Sequence, residues 1–370
     1  KQSNVLYHEA DCIYRERWLK MHQRTGVLKT FLIAAIGGIL FFSFHFPLAW
    51  MLGPLSAVVI WSQYRKQKLF FPMSIRNAAL VVLGYLIGKS FTAEAASQIV
   101  AQLPVMFLVT SLILLLSMLL GYFTHRQTGI SFTTGMLGSV PGGFSQMVIM
   151  SEEIADADVS VVSFMHTVRL LSVLFVVPYL ATQAAGSLGT FSSSVAAAPG
   201  PVPIWTAIPS NAFPLLGLSL LSALICSKLS LPTPFLMGPI LGAGLASMSG
   251  ISCPPLPLWL TILCQIAVGA YMGVKIELAS LSNWRILTIY TLLGVVAVIV
   301  ASLGIAFMLS YYYGYSDVTS FLSMAPGGIA EMSVTGIALG ADLSVIASYQ
   351  IFRLFFILLL TPIIFRRLLK

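Results

Sequence analysis

Two Pro-Gly-Gly triplets lie inside apolar stretches of the chain, 185 residues apart. Proline has no backbone N–H and glycine accepts non-helical backbone, so each triplet predicts a break in a helix. The N–H groups at the start of the next helix would form a positive-ended cup that suits an anion. The alternative is a plain kink without a ligand. The candidate binding residues around the two breaks are Pro141, Gly142, Gly143, Ser145, Gln146, Pro326, Gly327 and Gly328.

Each triplet is followed by an arginine well inside another apolar stretch, Arg169 in the first half of the chain and Arg353 in the second. A cation within a membrane helix is costly and must face a partner, a cavity or a ligand. A guanidinium binds a carboxylate or phosphate through two parallel hydrogen bonds, so both arginines are predicted to hold a negatively charged ligand. A structural ion pair, or a side chain that reaches the membrane surface, is the alternative.

Four ionisable residues are candidates for a coupling-ion site. Asp158 and Asp342 each stand eleven residues before an arginine and open an apolar stretch, so an N-cap is their alternative role. Glu331 follows the second triplet, whereas its counterpart in the first half is the neutral Gln146, and this asymmetry suits a single proton or sodium site. A partner for one of the arginines is the alternative for this glutamate. His166 could relay a proton or be a satisfied interior polar group.

Other kinds of chemistry find little support in the sequence. The five histidines and four cysteines are scattered without the spacing of metal ligands, so we expect no cofactor and no metal. The chain contains no GxxxxGK[ST] motif, so ATP is not the expected energy source. Basic residues cluster in short stretches between apolar runs, which is typical of membrane proteins and leaves no room for a nucleic-acid-binding domain. We therefore expect neither an enzyme nor a nucleic-acid partner.

Membrane helices must position these residues. Of the 370 residues 58% are hydrophobic and only 9% are charged, against about 25% charged in a typical soluble domain. Apolar runs near the length that crosses hydrocarbon follow one another along the chain. Because backbone groups in lipid must be satisfied within their own segment, these runs predict helices and an all-α integral membrane protein.

The two halves of the chain repeat each other. Residues 46–54 align with residues 231–239, and a pair of glycines at 84 and 88 aligns with a pair at 269 and 273, all at one offset. After one extra residue in the first half, the offset falls to 184 and pairs the aspartates and arginines described above. The predicted organisation is a polar N-terminal extension at 1–27, a first membrane repeat at 28–183, a linker at 184–206 and a second membrane repeat at 207–370.

The distribution of basic residues favours opposite orientations for the two repeats. Loop 63–76 carries four basic residues, whereas its partner, 249–256, carries none. If each Pro-Gly-Gly segment is re-entrant and each repeat has about five transmembrane helices, every basic cluster falls on one side of the membrane, as the positive-inside rule requires. Segments that cross fully would make the halves parallel. We expect two inverted repeats, with both termini on the cytoplasmic side.

Three features together resemble the AbrB-duplication membrane family over about residues 28–365: the paired Pro-Gly-Gly breaks, the Leu-Gly-Pro and Met-Gly-Pro motifs, and the paired Asp-x-Ser…Arg helices. That family is similar to inverted-repeat transporters, so the resemblance implies a transport domain that moves against a scaffold. The names of its members denote a regulator or an ammonia monooxygenase. The scattered histidines do not support an oxygenase, whereas an indirect regulatory role stays open.

Inverted repeats with matched helix breaks indicate a secondary transporter. The expected solute is a small anionic organic molecule, moved by a proton or sodium gradient across the lipid bilayer of a bacterial inner membrane. A membrane-embedded sensor or regulator that binds a ligand without moving it is the alternative, and a membrane oxidoreductase is the least favoured. The sequence leaves open whether copies of the chain form a homo-oligomer.

Overall fold

The computed structural model describes residues 26–44, 46, 48–65, 69–142, 144–154, 156–187, 208–276 and 284–368. Every regular element in these ranges is a helix, which confirms the predicted all-α class. In chain order the helices are α1 (Gly26–Ser43), α2 (Ala49–Arg65), α3 (Met73–Gly88), α4 (Ala93–Thr128), α5 (Phe132–Ser139), α6 (Phe144–Glu153), α7 (Val159–Ser187), α8 (Ala212–Lys228), α9 (Pro234–Met248), α10 (Leu258–Lys275), α11 (Trp284–Tyr313), α12 (Asp317–Met324), α13 (Ile329–Leu339) and α14 (Leu343–Leu368). Nearly all of the predicted N-terminal extension and most of the predicted linker lie outside the described residues.

Six helices within these ranges are long and apolar enough to cross a membrane, namely α1, α4, α7, α10, α11 and α14. Large apolar side chains on α4 and α11 stay exposed, among them Phe107, Leu119, Leu293 and Phe307. Exposed apolar surface of this extent is stable in lipid rather than in water. The chain is therefore a helical protein of the membrane type, as its composition predicts.

The chain divides into two compact units. One consists of the described residues within 1–80 and 259–276, and the other of the described residues within 81–258 and 277–370. In the first unit, α2 packs closely against α10, because a Cβ atom built at Gly273 would lie 2.8 Å from the carbonyl oxygen of Leu55. A Cβ atom built at Gly269 would lie still closer to the carbonyl oxygen of Met51. A residue without a side chain permits this approach of two helix backbones.

In the second unit, the end of α3 packs against α9 in the same way. A Cβ atom built at Gly84 would lie 2.7 Å from the carbonyl oxygen of Leu236, and one built at Gly88 would lie 2.7 Å from that of Ile240. These two glycines are the counterparts of the α10 pair, and α9 is the counterpart of α2. Each glycine pair therefore packs against a helix from the opposite half of the chain.

Both predicted helix breaks are present in the second unit. Helix α5 begins after the N-cap Ser131, whose hydroxyl accepts a hydrogen bond from the N–H of Thr134 at 3.2 Å, and it ends at Ser139. Helix α12 has the same construction, with Ser316 as its N-cap and Met324 as its last residue. Helices α6 and α13 begin just beyond the two triplets. Proline and glycine thus end each helix where the sequence predicts.

Candidate functional site

A cavity of about 170 Å³ lies between the two helix breaks, inside the second unit. Eight residues predicted for the site line it: Pro141, Gly142, His166, Arg169, Pro326, Gly327, Gly328 and Arg353. The remaining lining residues are Leu170, Val173, Ile329, Gln350 and Leu354. The fold thus brings both breaks and both arginines to one space, although the two triplets are 185 residues apart in the sequence.

Arg353, on α14, binds the main chain around the second break. Its Nη1 donates hydrogen bonds to the carbonyl oxygens of Met324 and Ala325, at 3.1 and 2.8 Å. Its Nη2 donates to the carbonyl oxygen of Gly327 at 2.8 Å and to Oε1 of Gln350. The two terminal nitrogens carry four N–H groups, and these four contacts occupy them. We call Arg353 and Gln350 the second clamp.

Arg169, on α7, binds the first break through the equivalent contacts. Its Nη1 donates to the carbonyl oxygen of Val140 at 2.7 Å and lies 3.5 Å from that of Ser139. Its Nη2 donates to the carbonyl oxygen of Gly142 at 3.4 Å and to Nδ1 of His166 at 2.7 Å. We call Arg169 and His166 the first clamp. Each clamp therefore binds carbonyl groups on both sides of the proline.

These contacts explain how a broken helix stays stable inside the protein. The last carbonyl groups of a helix have no partner within it, and a cation is favoured at this negative end of the helix dipole. Each guanidinium supplies both the hydrogen bonds and the positive charge. The sequence predicted instead that the arginines grip a ligand through the guanidinium fork, but in this structure the fork binds the protein's own main chain.

The two clamps use different residues for the same hydrogen-bonding task. Since a guanidinium can only donate, Nδ1 of His166 must accept from Arg169, and the proton of the neutral ring then sits on Nε2. That nitrogen lies 3.0 Å from the carbonyl oxygen of Leu137. Gln350 matches this pattern, because its Oε1 accepts from the arginine and its Nε2 donates to the carbonyl oxygen of Leu322 at 2.9 Å. His166 thus acts as a positioning residue, and its predicted role in proton relay stays a prediction.

Asp158 and Asp342 have the N-cap geometry that was the alternative to an ion site. Oδ1 of Asp158 accepts from the N–H of Ser160 at 2.8 Å. Oδ1 of Asp342 accepts from the N–H and the hydroxyl of Ser344, at 2.9 and 2.6 Å. Neither aspartate is among the described residues that line the cavity. Their predicted role in ion coupling is thus not supported by contact with this space.

Glu331 lies close to the cavity, in the first turn of α13. The side chain is 6% exposed, and its carboxylate lies against Gly328, where a Cβ atom would collide with it. Gly328 is the N-cap of α13 and lines the cavity together with Ile329. A carboxylate is favoured at this end of a helix. The structure therefore places one buried acid beside the site, in the second half of the chain.

Some residues of the predicted site lie outside the described part of the structure. These are Gly143 and the side chains of Ser145 and Gln146. Gln146 is the counterpart of Glu331, and the sequence shows that it carries an amide in place of the carboxylate. The contacts of this amide lie outside the described part of the structure.

Sequence reasoning missed two features of the site. Gln350 was not selected, although its position three residues before Arg353 repeats that of His166 before Arg169. Met332 packs over Gly327, and Met147 packs over Gly142, where a Cβ atom would lie 2.8 Å from the methionine Cε. The repeat offset pairs Gln350 with His166 and Met332 with Met147, so both features could have been found by asking what each pair does at its helix break.

The comparisons with known proteins agree with the sequence pattern. A family described as "Transition state regulatory protein AbrB" matches residues 50–369. The Escherichia coli (strain K12) protein named "Putative regulator AbrB" is 28% identical over 336 residues, which cover 90% of this chain and 93% of that protein. The Bacillus subtilis (strain 168) protein named "Uncharacterized protein YhjN" is 27% identical over 361 residues, with 91% of each chain covered. Since the family match spans most of the sequence, this chain belongs to the AbrB family.

Proposed function

We propose that this protein is a secondary transporter of a small anionic organic solute, and that the cavity between the helix breaks is its solute site. The observation that carries the proposal is the cavity itself, with a broken helix and a guanidinium contributed by each half of the chain. Non-helical backbone at membrane depth is tolerated where it lines a polar space. Paired breaks around such a space are typical of transporters that bind solute near the membrane midplane.

The proposal includes the finer architecture expected from the sequence. The two halves would be inverted repeats of about five transmembrane helices, and the Pro-Gly-Gly segments would be re-entrant. The short helices α5, α6, α12 and α13 support this, because a helix of 8 to 11 residues is too short to cross hydrocarbon alone. We place the protein in a bacterial inner membrane with both termini cytoplasmic, where the positive-inside rule accounts for the basic loops.

Charge favours an anion in the cavity. Arg169 and Arg353 bring two positive charges to its wall, and their hydrogen bonds go to neutral carbonyl groups that leave the charge in place. The start of α13 adds the positive end of a helix dipole through Gly328 and Ile329. Because the terminal N–H groups of the clamps are occupied, direct hydrogen bonds to the solute would come mainly from main-chain N–H groups near the breaks. The arginines would act chiefly through their electrostatic field.

Glu331 is the residue we propose for ion coupling. It is buried, acidic and beside the cavity, and a proton or sodium ion bound there would change the field that the solute experiences. Asp158, Asp342 and His166 are weaker candidates, because their contacts are those of helix caps and of a clamp. A secondary transporter of this kind would need no cofactor, no nucleic-acid partner and no enzymatic step. It could act as a single chain or as a homo-oligomer.

Flux into liposomes tests the proposal directly. Purified protein is reconstituted, and uptake of radiolabelled monocarboxylates, dicarboxylates and sugar phosphates is measured with an imposed proton or sodium gradient. We expect saturable uptake of one anion class, and a loss of about tenfold or more in the Arg353→Lys variant, because lysine retains the charge but cannot bind both sides of the break. Arg285→Gln, at an exposed position near the start of α11, is the control and should transport normally.

Two results would contradict the transporter proposal. One is the absence of uptake for every class of anion. The other is unchanged uptake in Arg353→Lys and in Arg169→Lys, with both variants shown to be folded by their thermal unfolding.

A ligand sensor is the second function that deserves a test, because the Escherichia coli relative is named as a regulator. The same cavity would then bind an anion without moving it across the membrane. Anion-dependent thermal stabilisation without flux would favour the sensor, whereas stabilisation together with flux would favour the transporter.

A further inference from the structure

A second, smaller cavity of about 30 Å³ adjoins the first, because Pro141, Arg169 and Pro326 line both. It lies among α4, α5 and α11, inside the second unit. Small or polar residues form much of its wall: Ser117, Thr124, Gly138, Ser139, Thr291 and Gly294. We call this smaller cavity the first route, because it extends the central space toward α4 and α11.

At the repeat offset of 185 residues, each of these six positions has a counterpart in the other half of the chain. We call the region that the six counterparts form the second route. Four of the counterparts are large apolar residues, namely Met106 for Thr291, Val109 for Gly294, Leu309 for Thr124 and Met324 for Ser139. All four are buried in one hydrophobic cluster. Side chains thus fill the second route at the positions where the first route is hollow.

A short chain of hydrogen bonds joins helices beside the second route. The hydroxyl of Tyr349 donates to Oε1 of Gln102 at 2.9 Å, and Nε2 of Gln102 contacts the hydroxyl of Tyr315. Gln102 lies on α4 and Tyr349 on α14, so these hydrogen bonds connect two helices of the cluster. Their counterparts beside the first route are apolar and form a small cluster of their own: Met165, Leu287 and Ile130. The hydrogen-bonded tie is therefore a feature of the second route.

The two clamps show the same asymmetry. Arg353, at the second break, is 6% exposed, whereas Arg169, at the first break, is half-buried and lines both cavities. The positive charge nearest the first route is thus the more accessible of the two.

We infer that the solute reaches the cavity through the first route, beside Gly138 and Gly294, and that the second route is the closed gate of this conformation, tied shut by Gln102. The inference rests on the proposed function, since a gate acts only where a solute crosses. In the opposite conformation, Met106, Val109 and Met324 would separate, and the first route would close.

Access of a charged thiol reagent measures which route is open. The four native cysteines at 12, 226, 253 and 264 are replaced by alanine in the full-length protein. Single cysteines are then introduced as Gly294→Cys in the first route and as its counterpart Val109→Cys in the second. Gly304→Cys is the control, because it lies on the same helix as Gly294, is exposed, and has nothing within 4 Å of an added Cβ atom. The probe is an anionic methanethiosulfonate, applied to sealed vesicles of either orientation.

We expect Gly294→Cys to react from one face of the membrane, at least about tenfold faster than Val109→Cys reacts from either face. Position 109 should react slowly because the second route must open before the reagent can reach it. Gly304→Cys should stay unmodified, because the reagent does not enter lipid. An anionic reagent should also react faster with Gly294→Cys than a cationic one, since two arginines face the cavity. Equal rates at positions 109 and 294, or a faster rate at 109, would overturn the inference.

A second variant tests the tie independently of any cysteine in the first route. Gln102→Leu supplies the residue found at the equivalent position, 287, and removes both hydrogen bonds. In the Val109→Cys background, we expect it to raise the rate of modification about tenfold, because a lost pair of hydrogen bonds favours the open gate. An unchanged rate would overturn the assignment of Gln102.

The outcomes separate this inference from the transporter proposal. Flux of an anion with equal labelling at both positions would retain the transporter and reject the open and closed routes. One-sided labelling of Gly294→Cys without flux of any anion would retain a water-filled access route and reject transport.

Discussion

The two clamps hold their helix breaks with the same hydrogen bonds, yet their surroundings differ. In both, a guanidinium spans the proline and binds carbonyl groups on either side. Arg353 is buried, has glutamine as its neutral partner and lies in the half that carries Glu331, whereas Arg169 is half-buried and has the buried His166 as its partner. The comparison teaches that the repeat duplicates the architecture of the site, and that single substitutions between the halves are the places where the proposed directionality and coupling can be tested.

The largest expected effect comes from removing an arginine. Arg353→Ala removes the hydrogen bonds of the guanidinium to three carbonyl groups of a buried helix break. Among the described residues, only the carbonyl of Ala325 keeps donors, from Gln350 and from the N–H of Gly327. We expect the free energy of unfolding to fall by about 3 kcal/mol or more. Arg169→Ala should cost about 1 kcal/mol less, because water can reach that break and two of its contacts are long. Thermal unfolding in detergent measures both. A larger loss for Arg169→Ala would reverse the ranking of the two clamps.

The contact between Gly328 and Glu331 gives the next largest effect. In Gly328→Ala the added methyl group would collide with the carboxylate, and we expect a loss of about 2 kcal/mol in the free energy of unfolding together with weaker solute binding. Gly304→Ala is the control, since it has space for a side chain on a helix surface and should be neutral or slightly stabilising. Equal unfolding temperatures for the two variants would mean that the carboxylate moves away freely.

Neutralising Glu331 tests the proposed coupling site. Glu331→Gln gives the second half the residue that the first half has, and we expect gradient-driven accumulation to fall about tenfold while solute exchange without a gradient persists. The measurement compares uptake with and without the imposed ion gradient. Asp158→Asn is the matched control, because its carboxylate caps a helix and should affect stability more than coupling. Retained accumulation in Glu331→Gln would exclude this residue as the ion site.

The smallest effect is expected where the clamps differ in their neutral partner. His166→Gln should change the flux by no more than about twofold and leave its pH dependence intact, because glutamine can accept from Arg169 and donate to the carbonyl oxygen of Leu137. His166→Leu removes the acceptor and should reduce both stability and flux. A loss of proton dependence in His166→Gln, with stability retained, would restore the proton relay that the sequence suggested.

The sequence alone predicts the parts of this site that depend on local backbone chemistry. Pro141 and Pro326 end helices because of what proline and glycine do to any helix, and the aspartates cap helices by an equally local rule. The contacts of Arg169 and Arg353 could not be predicted in this way, since spacing along one helix identifies a face but not the element that it meets. The packing of Met106 and Val109 depends on side-chain volumes from several helices, so the apolar filling of the second route could not be predicted from the sequence either.

The glycine pairs of α3 and α10 have a consequence for the origin of the molecule. Each pair fits against a helix that belongs to the other copy of the duplicated unit. A lone ancestral unit would have had no such surface of its own for its glycines, and would have found it only on an identical neighbour. We therefore expect the two copies, produced as separate polypeptides, to recover a native assembly when made in the same cell, and neither to be stable when made by itself.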